Sequence, residues 1–355
     1  MEKDKLIVIV FTTLLALRLI SLNWENSSPP VKKIFVVIMA NASLTTSSVE
    51  QFFVVGFPGY QDHESKLLIS GIFLIAYLLI WLGNLSILNT FMLNKNLHKP
   101  MYVLICTLAV LDITFSSVTI PRILAVLMFD ASMISFTACF AQLFLFHSVG
   151  SSQSFLLMLM AYDRFVAICN PLLYPTIMTN RFLLKQIALC WLGGFTTLII
   201  PLVLALRLPF CGPNKVRHLY CDHSSVVRLA CADISINSYV TLTIGLSVMF
   251  IALAYIVYSY IHIIKSVLKI ASSEGRAKAF STCGTHLVVI FIFIFTAVGV
   301  YISYRIPGTS EDVRIMITVL QNIIPPLLNP VIYCLRNKEI RDSFIKIVKR
   351  CKISP

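Results

Sequence analysis

Asp163 and Arg164 stand side by side where a long apolar run gives way to polar sequence. Opposite charges at such a boundary are costly unless they do a job. Together they can form a switch, in which Asp163 holds Arg164 at rest and releases it to a partner. The plainer reading is an arginine that snorkels from a helix end. A second group, Asn329-Pro330-x-x-Tyr333, lies in another apolar run. Pro330 lacks a backbone donor, so it makes its helix bendable. Asn84, Asp112 and Asn329 are polar residues inside apolar runs, and Gln153 lies 11 residues before Arg164. Such groups face inward and satisfy one another, with water or an ion. For Asp112 a purely structural buried carboxyl is the alternative. The seven histidines are dispersed, and His218 and His223 share one loop without a third partner. Neither a metal site, nor a cofactor, nor an enzyme is expected from this set.

These residues need elements to hold them. The chain has 355 residues, 57% hydrophobic and 13% charged. One soluble core could not hide that much apolar surface, so the natural solvent is a bilayer. Seven apolar segments are long enough to cross it, at about 67–92, 101–127, 136–162, 184–206, 238–264, 280–303 and 313–335. If helical, each satisfies its own backbone. The fold class is therefore an all-α membrane protein, a seven-helix bundle.

Charge gives the bundle a direction. The connections after spans 1, 3 and 5, with the tail, hold 16 of the 29 basic residues against four acids. The connections after spans 2 and 6 are balanced or acidic. The positive-inside rule puts the tail in the cytoplasm and the N-terminus outside. An odd number of spans requires the same. The net charge of +13 thus reads as membrane topology, and nucleic acid is not an expected partner.

Residues 39–66 form an outer N-terminal segment, and 67–335 the bundle. Residues 1–38 are an extension or a signal-like segment: Leu6 to Ile20 is apolar but interrupted by Arg18, and no clear cleavage site follows. Asn41-Ala42-Ser43 is a glycosylation sequon on the outer face. Residues 336–355 form a tail in which Ile340, Phe344, Ile347 and Val348 share one face. That pattern is a short amphipathic eighth helix lying on membrane lipid.

Several runs together resemble one family. They are Met160-Ala161-Tyr162-Asp163-Arg164-Phe165-Val166-Ala167-Ile168-Cys169, Leu97-His98-Lys99-Pro100-Met101-Tyr102, Lys278-Ala279-Phe280-Ser281-Thr282-Cys283 and Pro325-Pro326-Leu327-Leu328-Asn329-Pro330-Val331-Ile332-Tyr333. The Asp-Arg and Asn-Pro-x-x-Tyr elements are similar to those of rhodopsin-like G-protein-coupled receptors, and the fuller set resembles the odorant receptors. Phe165 stands where that family carries Tyr. The resemblance implies a small odorant as ligand. It also implies a heterotrimeric G protein of the olfactory stimulatory type, a rise in cyclic AMP and a plasma-membrane location. It implies disulfides Cys139–Cys221 and Cys211–Cys231, where spacing alone leaves three pairings of the four outer cysteines open. It implies a sodium site around Asp112 in many members of the wider class. Gln153 replaces the acid expected in that cluster, which leaves the site one charge short.

The ligand site is then expected between spans 3, 5, 6 and 7, below a lid that the first disulfide ties across the bundle. Spacing nominates Phe146, His147, Gly150 and Ser151 on span 3, with Tyr301 and Arg305 one turn apart at the end of span 6. His147 and Arg305 resemble an arrangement in the fish-like class I branch, where such positions help bind small polar or carboxylate ligands. Their plainer readings are a hydrogen-bonded core histidine and a solvated loop arginine. Span 7 has no lysine for a retinal Schiff base. Span 3 has no acid near His147, which argues against an aminergic ligand. A peptide or metabolite receptor of the same class is the nearest rival. A secondary transporter would need internal repeats that are absent.

Overall fold

The structure is a computed structural model that describes residues 49–270, 272–304 and 306–353. The expectations for residues 1–38 and for Asn41 fall outside it. Among the described residues, seven helices are long and apolar enough to cross a membrane. They are span 1 (His63–Leu93), span 2 (Pro100–Phe129), span 3 (Phe136–Cys169), span 4 (Asn180–Thr197, continued by Ile199–Leu206), span 5 (Ser235–Leu268), span 6 (Ser273–Ser303) and span 7 (Glu311–Arg336).

Local chemistry starts these helices. Asp62, Ser135, Thr179, Ser272 and Ser310 each cap a helix by accepting a backbone N–H from the first turn. Span 2 begins with Pro100, at a position whose N–H would have no helical partner. It ends at Asp130, which adopts the left-handed conformation (φ 48°). Several helices run past the apolar segments. Span 3 continues to Cys169 and span 5 to Leu268.

Span 2 is the buried staff of the bundle, with nearly every residue from Tyr102 to Ile120 away from solvent. Spans 1, 3 and 7 pack on it, and span 3 also contacts spans 4 and 5. Helices in lipid gain little from hydrophobic burial against one another, so close approach decides the packing. Gly194 on span 4 provides one such approach. A Cβ there would come within 2.6 Å of the Ser148 carbonyl oxygen on span 3.

One end carries a separate small layer. Strand β1 (Gln51–Val54) lies between β2 (Met133–Ser135), antiparallel, and β3 (Lys215–Val216), parallel. It roofs a second apolar core containing Phe52, Phe140, Leu202, Phe210, Val216 and Val226. The rings of Phe136 and Phe140 stand 4.5 Å apart, and Phe210 meets Phe52 edge-on at 5.7 Å. The opposite end carries the eighth helix, Lys338–Ile353. Ile340 is buried there against the bundle, while Phe344 is exposed.

Candidate functional site

A cavity of about 480 Å³ lies under the roofed end. Phe146, His147, Gly150 and Ser151 of span 3 line it, as does Tyr301 of span 6. Phe146 is fixed by a stacked Phe115 at 4.9 Å and by Tyr220 at 5.2 Å. Gly245 on span 5 leaves room for Tyr301, whose hydroxyl would be 2.6 Å from a Cβ at that position. Arg305 lies outside the described residues.

The loop between spans 4 and 5 supplies walls that helical spacing did not nominate: Asp222, His223, Ser224 and Arg228. Asp222 follows the disulfide cysteine Cys221, so the covalent tie that forms the lid also pins Asp222 at the cavity. That adjacency was a usable signal. His147 Nε2 stands 3.6 Å from Asp222 Oδ1, beyond hydrogen-bonding distance. The His147 and His223 rings are 6.4 Å apart, and His218 lies under the same lid against Tyr220. His223 of the loop thus lies near His147, and the acid beside His147 comes from the loop rather than from span 3. Among the described residues the cluster still does not form a metal-binding group.

The electrostatics of the lid follow from burial and partners. Burial pushes the Asp222 carboxyl up. The neighbouring His147 and His218 rings and the Ser224 donors outweigh it, holding the group well below the usual carboxylate range. Ser224 donates both its backbone N–H (3.0 Å) and its hydroxyl to Asp222 Oδ2. Burial holds His223 down at about 4 and also lowers His218. Burial thus favours the neutral form of both rings.

Disulfides join Cys139 to Cys221 and Cys211 to Cys231. A buried glutamine reinforces the first. Gln142 donates to the Val118 carbonyl at 2.8 Å and accepts the Cys221 N–H at 3.0 Å, joining span 2, span 3 and the lid. Asn322 of span 7 donates to the Tyr220 hydroxyl at 3.1 Å. Neither residue was nominated from sequence.

Midway along the bundle, Asp112 is buried. Gln153 donates to its Oδ1 at 2.9 Å and Asn329 to its Oδ2 at 2.8 Å. Two amide N–H groups therefore satisfy the carboxyl. Gln153 supplies an amide where a second acid was expected, and among the described residues its Oε1 and the Asn329 Oδ1 have no hydrogen-bond partner. Asn84 does not join Asp112. It donates to the carbonyls of Ile80 and Pro326, bridging spans 1 and 7. Pro330 lies within span 7, which continues through it to Arg336.

At the far end Arg164 forks onto Asp163 Oδ2, with its Nε at 2.9 Å. Tyr174 donates to the other carboxylate oxygen at 2.7 Å. Tyr260 of span 5 bonds His286 of span 6 at 2.9 Å. Tyr333 is buried, and its hydroxyl has no hydrogen-bond partner among the described residues. The arrangement can hold Arg164 inward and can let it go. Among the described residues it offers no nucleophile with a base and no metal ligands.

Seven crossing helices, a cavity at one end and a paired Asp-Arg at the other define a receptor of the rhodopsin-like G-protein-coupled class. The backbone is similar to that of squid rhodopsin in its crystal structure, with TM-score 0.66 and 17% identity over 80% of this chain and 81% of that one. A family model described as olfactory receptor matches residues 73–351, and the chain belongs to that family. It is 38% identical to human olfactory receptor 11H6 over 90% of this chain and 96% of that one. It is 40% identical to human olfactory receptor 6N1 over 86% and 97%, and 37% identical to mouse olfactory receptor 6B9 over 85% and 95%. The protein is thus an odorant receptor that crosses the membrane several times. It is a signalling receptor for small molecules that acts through a G protein, not an enzyme.

Proposed function

We propose that a small odorant binds in the 480 Å³ cavity, against Phe146, His147, Gly150, Ser151 and Tyr301, and that Arg305 also contributes to ligand binding. Binding favours the form in which Arg164 leaves Asp163. A ligand needs only to bind that form better than the resting one. The stimulatory G protein of the olfactory type then docks beside Arg164 and the Lys265–Lys278 region and raises cyclic AMP. Asn329, Pro330 and Tyr333 carry the bend of span 7, Asp112 and Gln153 form the polar centre it moves against, and Asn84 ties it to span 1.

The lid faces the outside of the plasma membrane, and the tail the cytoplasm. Asn41 is glycosylated, residues 1–38 precede the outer segment 39–66, and helix 338–353 rests on the inner leaflet. The distribution of lysine and arginine supports this orientation.

The observation that carries the reading is the position of the cavity and of Arg164 at opposite ends of one helix, span 3. The test is a cyclic AMP assay in cells bearing the receptor and the olfactory G protein, with a panel of small acids, amines, alcohols and amino acids. A concentration-dependent response, lost on Arg164→Ala at equal surface expression, is expected. Silence of a surface-expressed receptor to a broad panel counts against it. A C-terminal epitope stained only in permeabilised cells checks the orientation.

A further inference from the structure

The polar end of the cavity holds two groups with unfilled hydrogen-bonding capacity. Asp222 is buried and reaches the cavity from the lid. Its Oδ2 takes both Ser224 donors, while among the described residues its Oδ1 accepts no hydrogen bond. His147 Nε2 is buried, faces that Oδ1 across 3.6 Å and has no hydrogen-bond partner among the described residues. Buried polar atoms of this kind are costly when left unpaired. The two atoms are too far apart to satisfy each other, yet close enough to share a third. An oxygen or nitrogen at about 2.9 Å from each would sit roughly 2.3 Å off the line joining them.

We infer that this pair is the head-group site of the pocket, and that it selects ligands bearing a hydroxyl or a protonated amine over ligands bearing a carboxylate. The inference rests on the odorant-binding reading of the same cavity. A hydroxyl accepts from the His147 N–H and donates to Asp222. An ammonium donates to Asp222 and, with the other imidazole tautomer, to His147. A carboxylate has no proton to give Asp222 and sets a second anion beside it. Arg228 is the cation among the described lining residues. It stacks on the Tyr304 ring at 5.9 Å, and its own side chain is exposed. Water screens an exposed cation, so Arg228 offsets little of the like charge at buried Asp222.

The rest of the wall is mainly apolar, including Phe115, Phe146, Val248 and Phe293. A volume near 480 Å³ lies toward the small end of ligand pockets. The favoured ligand is thus a compact apolar body with one donating head.

The test uses one carbon skeleton ending in methyl, hydroxyl, ammonium or carboxylate, over a series of chain lengths, read as cyclic AMP concentration–response curves. In the unmodified receptor the alcohol or the amine is expected to be at least about tenfold more potent than both the acid and the alkane, a spread of about 1.4 kcal/mol. Asp222→Asn, at equal surface expression, is expected to abolish that advantage for the amine, reduce it for the alcohol and raise the response to the acid. The order of potencies in the unmodified receptor tests the inference even if Asp222→Asn fails to reach the surface. An acid that is the most potent member overturns the head-group assignment while leaving the odorant reading intact. An Asp222→Asn receptor with unchanged potencies does the same. An unmodified, surface-expressed receptor silent to every member contradicts the odorant reading on which the inference rests.

Discussion

The two ends of this bundle are built differently. The lid end is closed by two disulfides, a three-stranded sheet and an aromatic core around Phe52, Phe140 and Phe210. The Arg164 end is held by individual polar contacts: Asp163 with Arg164 and Tyr174, Tyr260 with His286, and Lys99 with Glu339. A covalent, densely packed cap has one arrangement. A handful of hydrogen bonds can be exchanged for others at little net cost, since each contributes only about 0.5–1.5 kcal/mol. The difference fits the proposed roles: a preformed pocket under the lid, and an Arg164 end free to rearrange.

The largest effect is expected from cutting the lid. Cys139→Ser removes a bridge that joins residues 82 apart and frees the loop carrying Asp222. It costs about 2–5 kcal/mol and should abolish both surface expression and ligand response, measured by antibody staining and cyclic AMP. The matching change at the other end is Asp163→Ala. It unties Arg164 while leaving the lid alone, so basal cyclic AMP should rise at preserved surface expression. With a charge-assisted pair worth about 1.5–3 kcal/mol, the rise should be about tenfold or more. If Cys139→Ser instead raised basal activity and Asp163→Ala blocked expression, the assignment of ends would be reversed.

Gln153→Leu probes the joint between the ends. It strands the Asp112 Oδ1 that Gln153 now satisfies. A loss of about 1–3 kcal/mol is expected, read as a lower melting temperature of the purified receptor. Acidification should weaken the lid selectively. His223 is held at about 4 by burial, against an ordinary 6.5. The unfolded lid takes up this proton as pH falls below 6.5, whereas the folded lid resists until about 4. Stability from this group is full above pH 6.5, declines between 6.5 and 4, and is flat below. Asp222 adds a further loss only once the pH enters the carboxylate range, because its folded form stays ionised to lower pH. Melting of the unmodified receptor should fall more steeply over pH 6.5–4.5 than that of His223→Gln. The smallest effect is expected from Lys99→Ala, which removes an exposed pair with Glu339. Such pairs contribute about 0–1 kcal/mol, so the melting temperature should barely change.

The spans were legible because apolar length is a property of the chain alone. Their ends were less so. Span 3 runs on to Cys169 and span 6 begins at Ser273, since a helix satisfies its backbone in water as well as in lipid, and a capping Ser272 can start it outside the apolar run. Within the site, Phe146, His147, Gly150 and Ser151 could be read because one helix face repeats every three to four residues. Asp222 and His223 could not, because a loop has no period. They reach the cavity through Cys221, whose pairing came from family resemblance. Asn84 was grouped with Asp112 because both are polar in apolar runs, but chemical likeness says nothing of rotation about a helix axis, and Asn84 turns toward span 7.

The most direct test of a fixed lid above a moving base uses two distance pairs in the same receptor, read by spin labels with and without an activating odorant. One pair, at Arg181 and Glu274, spans the Arg164 end; the other, at Lys215 and Ile306, spans the lid end. All four side chains are exposed. The account predicts that the odorant, with G protein present, shifts and broadens the Arg181–Glu274 distances by several ångströms and leaves Lys215–Ile306 unchanged. A lid pair that moves as far as the base pair, or a base pair that stays still while cyclic AMP rises, would contradict it.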